Sequence, residues 1–230
     1  MRGLFAHIAA RYDRMNRIMS LTLDRRWRRL ALDAVTLPPT GAVLDLACGT
    51  GDFALAIARR MDRRGVAGHV SGVDLSDGML AVMKEKVAAA GLQERISTAQ
   101  GDGENLPFPD GSFDRVTIAF GIRNFEHREE GLREMLRVLR PGGRLVILEL
   151  SVPENRIIRW LYNLYFLHIL PWIGGKVSGD KAAYSYLPAS VVMFPGRKAF
   201  IRTLQECGYG DVRHRAFTLG LCRMYTGEKR

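Results

Sequence analysis

The chain has 230 residues, of which 47% are hydrophobic and 25% charged, so it can bury a core as a single domain (1–230), and a disordered or low-complexity chain is excluded. Its 34 Lys and Arg exceed its 24 Asp and Glu, and the excess is concentrated near the N-terminus, which favours an anionic partner, either nucleic acid or an acidic membrane surface. The 3 cysteines are widely spaced, so neither a disulfide framework nor a metal site is indicated, and the reducing cytoplasm is the expected compartment.

Residues 1–38 are predicted to form two amphipathic helices ahead of the core. The first helix is indicated by four apolar side chains at helical spacing, which are Phe5, Ile8, Ala9 and Tyr12. The second is indicated by a similar set, which is Trp27, Leu30, Ala31 and Ala34. Pro38 and Pro39 end the second helix, because proline cannot continue it.

From residue 42 onward, short apolar runs alternate with helical stretches. The runs predict five strands, at 42–47, 69–74, 96–102, 113–120 and 144–150. Helices are predicted between and after them, at 52–61, 76–90, 128–139 and near 197–207. The alternation indicates an α/β fold with a doubly wound, mostly parallel sheet, and the last two segments, DVRHRAFTL and CRMYTGEK, are typical of a C-terminal antiparallel hairpin. Class I S-adenosylmethionine-dependent methyltransferases look like this, although the parallel core alone also suits a dehydrogenase.

The segment DLACGTGDFALA (45–56) follows a predicted strand and opens a helix, which is typical of a loop that a nucleotide approaches closely. Gly49, Gly51 and Ala54 satisfy the pattern GxGxxA. Asp74 ends the second strand, where a carboxylate would accept hydrogen bonds from ribose hydroxyls. On this pattern NAD remains an alternative, as does a purely structural tight turn.

Two acidic features favour S-adenosylmethionine over NAD. Asp45 lies inside the first strand, which a dehydrogenase would normally keep apolar, and here it would help to hold the amino acid end of the cofactor, directly or through water. The segment GDGENLPF follows the third strand, so that Asp102 and the backbone of Gly103 address the adenine edge. We therefore expect S-adenosylmethionine as the cofactor.

Two segments, RVLRPGGRLVILELS (137–151) and YDRMNRIMSLTLDRRW (12–27), resemble the signature segments of the ubiquinone/menaquinone biosynthesis C-methyltransferase family. FGIRN (120–124) is a third match, and SGDKAAYSYLPAS (178–190) extends the resemblance over nearly the whole chain. The resemblance implies C-methylation of a lipophilic prenylated quinol, with demethylmenaquinol preferred. The corresponding ubiquinone precursor is the first alternative, and an RNA methyltransferase or an NAD-dependent oxidoreductase is a more distant one.

The resemblance also implies roles for individual residues. Cofactor contacts fall on four positions, which are Thr50, Asp74, Asp102 and Gly103. Arg123 and Asn124 are assigned to quinol orientation and to proton removal through water, since arginine is too basic to accept a proton itself. The alternative for Arg123 is a structural ion pair with a carboxylate. Three positions depart from the family pattern, where Ala119 replaces a serine and Asp24 and Tyr225 replace histidines.

Residues 152–195 are predicted to form a substrate-cap insert after the fifth strand. Its segment 155–175 is apolar on nearly every side of a helix, so it must be buried or in contact with lipid. We expect it to dock on the inner face of the cell membrane, with Trp160 and Trp172 at headgroup level and Arg156 and Arg159 toward anionic lipid. Packing inside the protein or in a homo-oligomer interface is the alternative. No bound nucleic acid is expected, because the basic N-terminal segment lacks interleaved aromatic residues.

Overall fold

A seven-stranded sheet forms the centre of the molecule in this computed structural model, which describes residues 13, 16–17, 20–38, 41–166 and 188–230. The strands in chain order are β1 (Ala42–Leu46), β2 (His69–Asp74), β3 (Ile96–Gln100), β4 (Phe113–Ala119), β5 (Leu139–Leu150), β6 (Gly210–Phe217) and β7 (Cys222–Glu228). They lie side by side in the order β3-β2-β1-β4-β5-β7-β6. The first five are parallel, and β7 runs antiparallel to both β5 and β6. The predicted parallel sheet with a C-terminal antiparallel hairpin is confirmed.

Helices cover both faces of the sheet in the described ranges. Those described from end to end are α1 (Leu23–Leu32), α2 (Asp52–Arg64), α3 (Asp77–Ala89), α4 (Arg128–Val138), α5 (Arg156–Leu164) and α6 (Arg197–Glu206). Successive strand side chains point to opposite faces, so β1 sends Val43 into a core with α1, α2 and α3, and Leu44 into a second core with α4 and α6. The sheet is therefore buried on both sides, as its continuous apolar runs require.

The chain changes direction at β1, because β2 and β3 extend the sheet to one side and β4 and β5 to the other. In open α/β sheets, ligands bind outside the carboxyl ends of the strands at such a switch point. Here the carboxyl ends of β1 and β4 carry the two segments singled out from sequence, which are the glycine loop and FGIRN. The topology thus brings both predicted sites to one edge.

Several predicted boundaries need correction. β5 begins at Leu139 rather than at 144, because the Pro-Gly-Gly segment interrupts the ladder within the strand instead of preceding it: Phe113 pairs with Leu139, and the register then shifts to Arg115 with Arg144. β3 ends at Gln100, two residues before the predicted end. α2 continues to Arg64 rather than 61.

The flanking segments are described only in part. The second predicted N-terminal helix is α1, which ends at Leu32, so Ala34 lies beyond it. The first predicted helix, with Phe5 and Tyr12, lies outside the described residues. Of the predicted cap insert, the structure describes α5 and its surroundings up to 166 and again from 188. None of the helices in these described ranges is long and apolar enough to cross a membrane.

Candidate active site

The loop that follows β1 turns sharply before α2 begins. Ala47, Gly49 and Gly51 have φ angles of 49°, 54° and 83°, in the left-handed region that favours glycine. At Gly51 an added Cβ would lie 2.5 Å from Cγ of Met83, so α3 packs directly on the loop. The loop leads into the N-terminus of α2, where backbone N–H groups favour a negatively charged or polar ligand group.

Asp74 ties the end of β2 to this loop. Its Oδ2 accepts a hydrogen bond from the backbone N–H of Gly49 at 2.8 Å, and its Oδ1 accepts one from the N–H of Ser76 at 2.9 Å. Burial raises the pKa of the Asp74 carboxyl, and the backbone N–H donors partly offset that rise. The carboxylate thus lies at the glycine loop, where the sequence placed it. Its contact with the cofactor ribose stays a prediction.

Asp45 lies almost completely inside the sheet, with 1% of its surface exposed. Its Oδ1 accepts a hydrogen bond from the Thr117 hydroxyl at 2.7 Å, whereas Oδ2 has no hydrogen-bond partner among the described residues. Burial raises the pKa of this carboxyl to about 7. Oδ2 is therefore a buried oxygen without a donor in the described part of the chain, near the end of β1 and just before the glycine loop. An acceptor of this kind suits the ammonium group of S-adenosylmethionine.

The predicted adenine contacts lie in the loop after β3. Asp102 is exposed, and its Oδ1 accepts a hydrogen bond from the N–H of Glu104 at 3.0 Å. Gly103 is buried, and a Cβ there would lie 2.5 Å from Cζ of Phe125. The glycine is therefore required by packing against the segment that follows β4. Contact of either residue with adenine stays a prediction.

Thr50 belongs to a charged cluster that fastens the N-terminal segment to the glycine loop. Its hydroxyl donates to Oδ1 of Asp13 at 2.6 Å and accepts from Nζ of Lys86 at 3.0 Å. Lys86 also forms ion pairs with Asp13 and, at 2.7 Å, with Asp52. Lys86, on α3, was not predicted as a site residue, because no local motif distinguishes it. The Thr50 hydroxyl therefore already has two hydrogen-bond partners, and its contact with the cofactor stays a prediction.

Arg123, in the short turn after β4, forms a buried ion pair with Glu149 at the end of β5. Its Nη1 lies 2.7 Å from Oε1 of Glu149, with 6% and 0% of the two side chains exposed. Glu149 also accepts hydrogen bonds from the backbone N–H groups of Arg123 and Leu150. Nε of Arg123 donates to the Ser190 hydroxyl at 3.3 Å. The structural ion pair proposed as the alternative is therefore present, while the quinol-orienting roles of Arg123 and of its half-buried neighbour Asn124 stay predictions.

An apolar cavity of about 330 Å³ lies beside Arg123, outside the carboxyl ends of β4 and β5. Its apolar lining comes from α1, α5 and three strand ends, and consists of Leu21, Leu23, Trp27, Phe120, Leu150, Leu161, Tyr162, Tyr165, Phe166 and Leu221. Nε1 of Trp27 donates to the hydroxyl of Thr218 at 2.8 Å, which fixes α1 against the turn between β6 and β7. The sequence pattern predicted helices in both segments, but it did not show that α1 and α5 line the same cavity.

The cavity has a small polar side. Asp24 and Arg28 line it and form an ion pair at 2.5 Å, and the Ser20 hydroxyl donates to Asp24 at 2.8 Å. The Arg28 guanidinium lies 5.1 Å from the centre of the Phe120 ring and 3.9 Å from Oδ2 of Asp52, at the start of α2. The cavity and the glycine loop are therefore neighbours, joined through Arg28.

The three family departures have different settings. Asp24 is 5% exposed and belongs to the cavity wall. Tyr225 lies in the core, where its ring meets Phe200 edge to face at 4.8 Å. Ala119 packs against the core beside α1 and α2. In the described ranges no group of three or more His, Cys, Asp or Glu side chains is arranged to hold a metal ion.

A seven-stranded sheet of this order, with a glycine loop after β1 and acidic residues at the ends of β1 and β2, defines a class I S-adenosylmethionine-dependent methyltransferase. Solved structures share the fold. A methyltransferase from Thermotoga maritima, titled a possible histamine N-methyltransferase, has a TM-score of 0.70 at 17% identity, with 100% of both chains covered. An S-adenosylmethionine-dependent methyltransferase from Aquifex aeolicus has a TM-score of 0.62 at 18% identity, covering 88% of this chain and 89% of that one.

The chain belongs to the ubiE/COQ5 methyltransferase family, whose sequence model matches residues 1–229. A ubiquinone/menaquinone biosynthesis C-methyltransferase from Geobacter sulfurreducens is 49% identical over 229 residues, covering 100% of this chain and 88% of the relative. A demethylmenaquinone methyltransferase from Bacteroides fragilis is 40% identical, covering 98% of this chain and 91% of the relative. The predicted enzyme class and the prediction of S-adenosylmethionine are confirmed, and the NAD-dependent oxidoreductase is not retained.

Proposed function

We propose that the enzyme transfers a methyl group from S-adenosylmethionine to a ring carbon of a prenylated quinol, with demethylmenaquinol as its substrate. The observation that carries this proposal is the apolar cavity beside the glycine loop, which has ion-paired polar residues on one side. A quinol has the same character, with a long apolar tail and two ring oxygens. The name of the Bacteroides fragilis relative supports demethylmenaquinol, while that of the Geobacter sulfurreducens relative includes the ubiquinone precursor as the alternative.

The transfer needs few side chains, because bound S-adenosylmethionine supplies an electrophilic methyl group. A quinol hydroxyl loses its proton to water, the ring carbon beside it forms the new bond to the methyl carbon as the sulfur–methyl bond breaks, and the ring carbon then loses its own hydrogen as a proton, also to water. The cavity walls hold the ring in position next to the methyl group, an effect worth up to about 7–11 kcal/mol in favourable systems. Arg123, held in place by Glu149, lines the cavity, and we assign it to orienting the quinol ring.

The redox state of the substrate tests this mechanism. An oxidised quinone ring is electrophilic and cannot attack a methyl sulfonium group, so turnover should require the reduced quinol. Methyl transfer to demethylmenaquinone is measured with and without dithionite, with the ubiquinone precursor compared in parallel. Equal rates on the oxidised and reduced forms would contradict the mechanism, and faster methylation of the ubiquinone precursor would overturn the choice of demethylmenaquinol.

We further propose that the enzyme meets its substrate at an anionic membrane surface. The outward face of α5 is an apolar stripe at helical spacing, with Ile157, Trp160 and Leu161 exposed by 70%, 64% and 49% and Leu164 following them. Leu161 lines the cavity as well, as does Leu21, which is 63% exposed. The cavity therefore opens beside the stripe.

Positive charge lies on both helices that line the cavity. Arg156 is exposed in the first turn of α5, and three exposed arginines belong to α1, which are Arg25, Arg26 and Arg29. Cations beside an exposed apolar stripe are typical of helices that lie in the interface of an anionic bilayer. Trp172, predicted at headgroup level, lies outside the described residues.

Vesicle flotation tests the membrane proposal. The protein should float with anionic vesicles at low salt, and an Arg156→Glu, Arg159→Glu variant should float less while it keeps its cofactor affinity. An Arg63→Glu, Arg64→Glu variant is the matched control, since it makes the same charge change on exposed residues at the end of α2. Equal loss of flotation in both variants would show that net charge alone drives binding, which contradicts docking through α5. A wild-type protein that floats with no vesicle would overturn the membrane proposal.

A further inference from the structure

The Tyr162 hydroxyl on α5 is a buried polar group without a function so far. The residue is 6% exposed and lines the apolar cavity, with its ring stacked on Phe166 at 4.2 Å. Among the described residues its oxygen has no hydrogen-bond partner. Buried polar groups in proteins are nearly always hydrogen-bonded, so an exception at a cavity wall calls for a partner that binds there.

Another buried phenol shows the usual arrangement. Tyr209, immediately before β6, is 4% exposed and donates its hydroxyl hydrogen to the carbonyl oxygen of Leu132 at 2.8 Å. The same side chain is thus satisfied within the fold in one place and unsatisfied at the cavity in the other. The unsatisfied hydroxyl of Tyr162 destabilises the folded protein until an acceptor binds in the cavity.

The chemistry of the cavity restricts what that acceptor is. Burial raises the pKa of the Tyr162 phenol well above its usual value, so the group keeps its proton at neutral pH and acts as a donor. Arg123, which also lines the cavity, is already paired with Glu149, so among the described residues of this wall it is the Tyr162 hydroxyl that lacks an acceptor. An oxygen carried on a flat apolar ring gives the phenol an acceptor, whereas a purely hydrocarbon ligand leaves it unpaired.

We propose that Tyr162 donates a hydrogen bond to one ring oxygen of the quinol and so fixes the orientation in which the ring carbon meets the methyl group. This inference rests on the proposed function, because it assumes that a quinol occupies the cavity. Tyr162 thereby selects substrates with an oxygen on the ring, while the apolar walls accept the rest of the molecule.

A Tyr162→Phe variant tests the proposal, with Tyr209→Phe as the matched control. Loss of one hydrogen bond to the ring should raise the KM for the reduced quinol about tenfold, with the Kd for S-adenosylmethionine unchanged. Because the variant also removes an unsatisfied buried hydroxyl, the Tm of the protein without ligands should equal or exceed that of wild type. Tyr209→Phe should do the opposite, lowering Tm because a buried hydrogen bond to the Leu132 carbonyl is lost, and leaving the KM unchanged.

The outcomes separate this inference from the proposed function. An unchanged KM in Tyr162→Phe, with wild type active on the quinol, overturns the role of Tyr162 and leaves the proposed function standing. A raised KM accompanied by a lowered Tm also overturns it, because the hydroxyl would then be a structural group. If wild type methylates no quinol at all, the proposed function itself fails, and that result is visible before any variant is made.

Discussion

The glycine loop and the apolar cavity are neighbours, but the chain builds them in opposite ways. The loop is a short stretch held by the backbone and by Asp74, which closes it from the end of the adjacent strand. The cavity is assembled from side chains of α1, α5 and the ends of β4, β5 and β7, with Trp27 bonded to a residue 191 positions away. The cofactor side therefore depends on local geometry, and the cavity side depends on long-range packing.

Their charges differ in the same way. The loop is bordered by Asp45 and Asp74, two carboxyls whose pKa values are raised by burial, so this side gains from a cation that binds. In the cavity the charges are already matched within the protein, by Arg123 with Glu149 and by Arg28 with Asp24. The carboxyls at the glycine loop therefore gain a partner when a cation binds, whereas the charged side chains at the cavity are paired before any ligand binds.

The largest effect is expected from breaking the pair at the cavity. Glu149→Ala leaves the Arg123 cation buried without its carboxylate, which should lower the free energy of unfolding by about 3–5 kcal/mol. Urea unfolding measures it, and Glu129→Ala is the control, because its pair with Arg133 is exposed and should contribute at most about 1 kcal/mol. If both variants lose the same small amount, the buried pair does not stabilise the cavity side.

The next effect concerns the cofactor side alone. Asp74→Ala should weaken S-adenosylmethionine by about 1.5–3 kcal/mol for each charge-assisted hydrogen bond lost, which is roughly a 10- to 150-fold rise in Kd by titration calorimetry. Asp77→Ala, an exposed acid in the first turn of α3, should leave the Kd near that of wild type. If Asp74→Ala binds S-adenosylmethionine as tightly as wild type, Asp74 does not hold the cofactor, and the glycine loop cannot be assigned as the cofactor side.

The smallest effect sharpens the electrostatic contrast. Asp45, with its pKa raised from 3.8 to about 7, must be ionised to pair with the cofactor ammonium, so affinity should increase by about tenfold between pH 6 and pH 8. In the protein without cofactor the sign is reversed: the folded state holds the proton more tightly than the unfolded chain, so stability falls as pH rises from about 4 to about 7. Asp45→Asn should flatten both profiles. A slope that persists in this variant would assign the titration to another group.

The sequence predicted those parts of the molecule that depend on neighbours along the chain. The strands, the glycine loop and the positions of Asp45 and Asp74 follow from local periodicity and turn chemistry. The predicted start of β5 was wrong because a Pro-Gly-Gly segment usually forms a turn outside a strand, whereas here the chain pairs with β4 both before and after that segment. Propensity cannot show that a partner strand will override a turn.

Residues of the cavity were harder to predict, because their roles depend on partners far away in sequence. Glu149 is a charged residue inside an apolar strand, and a buried charge needs a cation as its partner. Nothing in the neighbouring sequence identified Arg123 as that cation. Tyr162 gave none, because in sequence it is one of several aromatic residues on a helix, and only its unpaired oxygen distinguishes it.

The hydrogen bond from Trp27 to Thr218 has a consequence for the order in which the molecule assembles. Because its two ends lie 191 residues apart, α1 cannot take its final place during synthesis until the turn between β6 and β7 has been made. The strands that carry the glycine loop, up to β4, are complete more than ninety residues earlier. A growing chain therefore completes its cofactor loop first and leaves Trp27 without its hydrogen-bond partner until the end, so the wall of the substrate cavity is among the last parts of the protein to form.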